Sequence, residues 1–363
     1  MKLFNFDHGL KSPTTFTVGP FTITVTEEHI ENLSKLPRRE EQLYSSDAFH
    51  QPIVTQTPRS PGEFLETACA LLNGAPQPSR LFPKSDADDC IWDLILLLSF
   101  ITGRRVYEDS DLEWDPHRNY GDRMMPPHDI PILANYFWSK LPELATQKLS
   151  DALNCIVNAA LAPEAIGRGM YSSAALDATV TSWTSRNKQS IYPDAEKLLA
   201  LRAEVAELLA KHEMGQETIA DFTARINSSL GRPSALLKLQ WFLQAIGVYP
   251  DNPTAEQVTR LKALNTVRNA VVHSGAVRVD KVPTDAMDRI AIAVILVMQD
   301  IVEFYLMRHA FGITDGLTEP MRSRVRSFFF DGKLGGQRVF EEDYATYIAR
   351  AEQAWMNNFR IEM

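Results

Sequence analysis

Residues Leu261–Gly275 read LKALNTVRNAVVHSG. On a helical wheel of about 100° per residue, with Leu261 at zero, Leu264, Val267, Val271 and Val272 fall between roughly 240° and 20°. Arg268 falls at about 340°, inside that apolar arc, and Asn265, Asn269 and His273 run along its edge at about 40°, 80° and 120°. A guanidinium on an apolar face is costly unless it is paired or meets a wet cleft or interface. His273 comes in the last turn, where the helix dipole favours a protonated imidazole, and Ser274-Gly275 lets the chain leave. Two readings stand. In one, Arg268 pairs with a carboxylate of a neighbouring helix such as Asp177, and His273 caps the last carbonyls. In the other, the two side chains are set out for chemistry.

Long helical patterns surround this segment. Thr254 is a suitable N-cap for the helix that ends at Gly275. Apolar residues recur at three and four over 135–161, 172–187, 192–213 and 217–230. Residues 233–247 fit a helix with Pro233 in its first turn and Gly247 at its end. The stretch 283–312 is long and largely apolar, as a central helix would be. Its longest apolar run, Ile290–Met298, is too short to span a bilayer and is followed by Gln299 and Asp300.

The first third is mixed. TFTVGPFTITVTEEH alternates β-formers around Gly19-Pro20, predicting a short hairpin. Segment 35–62 reads as loop, EFLETACALLN (63–73) has helical spacing, and IWDLILLLSFITG (91–103) has the length of a buried helix ending at Gly103. Residues 107–131, with acids, prolines and two histidines, are the best boundary. The expectation is a mainly α protein in three parts: a mixed α/β sensor or regulatory domain over 1–125, a helical domain over 130–315, and a C-terminal helical extension over 316–363 with a last helix near 341–357.

The 363 residues, 45% hydrophobic and 23% charged, allow a sizeable core. A net charge of −9 argues against a protein coated in nucleic acid, because phosphate binding relies on Lys and Arg, but leaves room for a local basic site. Cys69, Cys90 and Cys155 are odd in number and far apart, which predicts reduced thiols rather than a disulfide framework. The N-terminus has no apolar core of signal-peptide length. Together these predict a cytoplasmic protein.

Arg268, Asn269 and, after three more residues, His273 resemble the signature of the HEPN family, an arginine and a histidine with four to six residues between them, the first of these usually polar. The preceding helices and the long apolar helix ending in FGI (311–313) strengthen the likeness, which covers about 130–315. Among HEPN domains it is most similar to the ApeA-like proteins of bacterial anti-phage defence, which carry an extra N-terminal domain. The resemblance implies a HEPN-type helical bundle that dimerises so that two signature helices face each other. It also implies a metal-independent endoribonuclease acting as a toxin or in abortive infection. The RNA 2′-hydroxyl would attack the adjacent phosphorus and leave a 2′,3′-cyclic phosphate. His273 suits acid or base work because imidazole titrates near neutrality. Arg268 suits a phosphate fork, and Asn269 would orient either. No metal or other cofactor is implied. The partners implied are RNA (tRNA or another structured RNA), a second copy of the chain, and a phage-derived trigger or an antitoxin, with no membrane. Asp177, in AALDATV (174–180), is set against an acidic residue often found on an early helix of the family. A non-catalytic HEPN scaffold and a helical interaction protein are the rival readings.

Other signals are weaker. Arg322, Arg324 and Arg326, ahead of Phe328–Phe330, read as an RNA-tracking patch with stacking aromatics or as a solvated face in front of core. GKLGGQ lacks the Gly-Lys-Ser/Thr end of a P-loop. His117 and His128 among Asp115, Asp122 and Asp129 read as an irregular polar loop rather than a metal site.

Overall fold

The computed structural model describes residues 1–35, 65–83, 90–108, 125–162, 165–187, 195–211, 216–229, 233–274, 284–313 and 315–339. The chain is mainly helical, with a small antiparallel sheet near its N-terminus. Strands β1 (Lys2–Phe4), β2 (Thr14–Val18), β3 (Phe21–Val25), β4 (Glu66–Leu72) and β5 (Tyr107–Glu108) run in the order β2-β3-β4-β1-β5.

The Gly19-Pro20 hairpin forms as expected, with Val18 opposite Phe21. Gly19 has φ 58°. A Cβ there would lie 2.1 Å from Nε1 of Trp138, so only glycine lets the turn rest on that indole. The Gly19 amide donates to Asn135 Oδ1 at 2.9 Å, and Phe21 meets Trp138 edge-on.

The segment expected as helix at 63–73 is instead strand β4. It lies between β3 and β1, and its pairing with β1 contains a bulge between the Leu3–Ala68 and Phe4–Glu66 partners. The bulge sets Thr67 and Ala68 inward in succession, and that break in a two-residue alternation imitates helical spacing. Helix α1 (Glu27–Ser34) opens on a capping box made by Thr26 and His29.

Helix α2 (Cys90–Thr102) is buried almost throughout and ends at Gly103, φ 64°. Its Asp93 accepts from Ser79 Oγ at 2.7 Å and from the Arg80 amide, strapping the 79–82 loop to the helix. Burial outweighs these bonds and raises the Asp93 carboxyl above its ordinary range. The pattern at 135–161 is two helices rather than one, α3 (Ile130–Thr146) and α4 (Ser150–Leu161). The break falls at Lys148, φ 59°, a left-handed position without the usual glycine signal.

The remaining helices are α5 (Ala165–Asn187), α6 (Ala195–Ala210), α7 (Gln216–Ser229), α8 (Ala235–Ala245), α9 (Ala255–Ser274), α10 (Thr284–Tyr305) and α11 (Asp315–Asp331), followed by a hairpin of β6 (Lys333–Leu334) and β7 (Gln337–Arg338). The capping expected for α9 is present: the Gln257 amide donates to Thr254 Oγ1, and the Thr254 amide to Gln257 Oε1. Helix α10 continues into a π-turn, Leu306–Ala310, and the carbonyl of Phe311 accepts from Tyr136 Oη at 2.7 Å. Ile290–Ala310 is long and apolar enough to cross a membrane, yet most of it is buried inside the fold.

The chain forms two compact units. One unit holds residues 1–179 with 248–363, and the other residues 180–247. In the first, α10 packs against α4, α9 and α11. In the second, α6 packs on α7, and Trp183 meets Phe242 edge-on. The helix expected near 341–357 and the loop expected over most of 35–62 lie outside the described residues.

Gly19→Ala combines a left-handed backbone with a clash, and should lower stability by about 2–4 kcal/mol in denaturant unfolding. Gly316→Ala, where a Cβ meets open space, should instead raise it by up to about 1 kcal/mol. For Asp93 the folded pKa lies above the unfolded one. Its contribution is therefore full below the unfolded value of 3.8 and declines as pH rises through the raised value. Urea unfolding between about pH 4 and pH 7 should show that decline in the wild type and a flatter profile in Asp93→Asn.

Candidate functional site

Helix α9 lies against α10 and α11. Its buried residues, Gln257, Leu261, Ala263, Leu264, Val267 and Val271, centre at about 285° on the wheel used above rather than near 310°. Arg268 thus stands at the edge of the buried face, its side chain 15% exposed. Val272, expected within the apolar arc, is 46% exposed.

Helix α5 closes the other side of Arg268. Gly169 makes room there: a Cβ on it would come within 3.0 Å of both Val271 Cγ1 and Ile295 Cδ1. One turn along, Ser173 Oγ donates to the Arg268 carbonyl at 3.2 Å, so the two helices are joined by a hydrogen bond as well as by packing. A turn further, Asp177 forms an ion pair with Arg268 Nη2. Arg268 Nη1 donates to Asn265 Oδ1 at 3.2 Å. The Arg268 Nε is buried and has no hydrogen-bond acceptor among the described residues.

The guanidinium is therefore held on two sides and left unsatisfied on the third. Asp177 is 44% exposed, so one edge of the pair faces solvent. A bidentate anion such as a phosphate would need the same Nη groups and would compete with Asp177 and Asn265 for them. Asn269 is half-buried on the same helix. The backbone of His273 lies in the last turn of α9, and its side chain lies outside the described residues.

The pairing of Arg268 with Asp177 was legible as one of two readings. The roles of Asn265 and Ser173 were not, although Asn265 lies three residues before Arg268 on the same face. Two small residues one turn apart on α5, Gly169 and Ser173, are the signal for a close helix approach.

The three arginines of α11 differ from one another. Arg324 makes a forked pair with Asp300, Nε lying 3.0 and 2.9 Å from its two oxygens. Arg322 pairs with Glu319 at 3.3 Å. Arg326 stacks over Phe330 with 4.9 Å to the ring centre. Phe328 and Phe329 are fully buried and offer no face to a base. His128 is exposed and lies 3.4 Å from Asp129, while His117, Asp115 and Asp122 lie outside the described residues.

The chain matches no protein-family model, no curated protein and no solved structure.

A double-mutant cycle on Arg268→Ala and Asp177→Ala should return a coupling of about 1 kcal/mol or less, because Asp177 is half in solvent, and it should shrink in high salt.

Proposed function

We propose that the chain is a metal-independent endoribonuclease of HEPN type. The observation that carries the reading is Arg268, fixed by Asp177 and Asn265 at the edge of the buried face of α9, with its Nε unsatisfied, five positions ahead of His273 in the final turn. A guanidinium so placed is oriented before any substrate arrives, which is what stabilising charge on a phosphorane-like transition state requires. His273 transfers the proton of the 2′-hydroxyl or of the leaving 5′-oxygen. Asn269, one turn before it, orients the ring or the phosphate. The substrate is RNA of defined shape, tRNA among the candidates, which accords with a net charge of −9. A second copy would complete a composite cleft, and the N-terminal sheet with its helices would serve as sensor or guide. The setting is anti-phage defence or toxin action, answering to a phage-derived trigger or an antitoxin.

A helical interaction protein, in which Arg268 is structural, is the second reading. The Arg268–Asp177 pair favours it, since an arginine with a carboxylate partner needs no substrate to explain it.

The test is purified protein incubated with total RNA and with tRNA in EDTA, beside Arg268→Ala and His273→Ala. Cleavage by the wild type alone, leaving cyclic-phosphate ends, is the expected result, with both variants folded. Equal cleavage by all three would sink the assignment to α9. Inactivity of the wild type, together with an unfolded Arg268→Ala, would favour the structural role.

A further inference from the structure

Away from α9, three side chains with metal-binding atoms meet where α1 crosses the sheet: His29, Glu66 and Cys69. The bulge in β4 brings this about. On a regular strand, residues three apart face opposite ways, whereas the extra residue between the Leu3 and Phe4 pairings turns Glu66 and Cys69 to one side. His29 comes down on them from the first turn of α1, buried. The Glu66 Oε1 lies 3.3 Å from His29 Nε2 and 2.8 Å from Cys69 Sγ, and Sγ to Nε2 is 3.9 Å. A tetrahedral ion with ordinary zinc bond lengths would set such donors roughly 3.4–3.6 Å apart, within the span of these distances.

We propose that His29 Nε2, Glu66 Oε1 and Cys69 Sγ bind a zinc-class divalent cation, with the fourth position left to solvent. A thiolate, an imidazole and a carboxylate together suit a borderline-soft ion rather than calcium or magnesium. Protons occupy the place of the cation in this structure. The Thr26 amide donates to His29 Nδ1 at 3.1 Å, so the neutral ring carries its hydrogen on Nε2, facing Glu66, and the Cys69 thiol donates to the same oxygen. On binding, the thiol proton leaves to solvent and the ring proton moves from Nε2 to Nδ1. Nδ1 then meets the Thr26 amide as a second donor, so that capping bond breaks and the ring turns to separate the two N–H groups. Lys2 holds the other oxygen, Oε2, at 3.0 Å and need not move. The ion would pin α1 to β4, and none of its ligands belongs to α9.

The experiment uses the full chain, stripped with chelator and titrated with cobalt(II). The expected result is a thiolate-to-cobalt absorption band that saturates at one equivalent and disappears when zinc is added. Cys69→Ser should abolish the band. His29→Gln, which keeps a side chain suited to the capping box, and Glu66→Gln should each weaken binding at least about tenfold. Absence of a band at stoichiometric cobalt would overturn the proposal. So would a band that persists in folded Cys69→Ser, because it would belong to Cys90 or Cys155. If Cys69→Ser does not fold, unchanged affinity in the His29 and Glu66 variants is the overturning result. The readout is independent of RNA cleavage, so this proposal and the nuclease reading fail separately.

Discussion

A helix that is apolar on every side must be surrounded, and α10 imposes that constraint on its unit. From Ile290 to Ala310 it offers almost no polar face, so it is stable only when other elements cover it. Helices α4, α9 and α11 do so. Asp300, buried in this stretch, is met by the fork of Arg324 from α11. The position of α9 follows from this. Its aliphatic face is spent on α10 and α11, and Arg268 falls where that face gives way to α5.

What holds Arg268 there bears on both accounts of it. An arginine half out of water needs a carboxylate to remain folded, and it needs its nitrogens available to bind phosphate. Asp177 meets the first need while standing in the way of the second. Because Asp177 is partly solvated, the pair is weak. In the proposed nuclease the same contact would brace the guanidinium before substrate arrives and yield to the phosphate.

The helices were legible where local chemistry declared them. Thr254 marks the start of α9, Gly103 the end of α2, and Gly19 the β2–β3 turn. The misreadings arose where distant contacts decided. Strand β4 has the spacing of a helix because a bulge, set by its pairing with β1, disturbs its alternation. Lys148 takes a glycine's conformation between α3 and α4 without a glycine to announce it. On α9 the wheel placed Arg268 among apolar residues correctly in kind, but its arc was centred about 25° off, since three neighbouring helices and not one fix the buried face. The His29, Glu66 and Cys69 cluster left no trace in spacing: His29 is 37 residues from Glu66, and only the fold brings the two together.

The sheet order has a consequence for synthesis on the ribosome. Strand β1 is made well before its neighbours β4 and β5, so its two edges are covered only after residues 66–72 and then 107–108 have emerged. The Gly19 turn waits longer still, for Trp138. Leu3, Phe4 and Phe6, all buried at the end, spend that interval without their final partners. Such late, long-range closure slows folding and leaves an open strand edge exposed to other chains, so the β1 region is where a nascent chain of this protein would most need a chaperone.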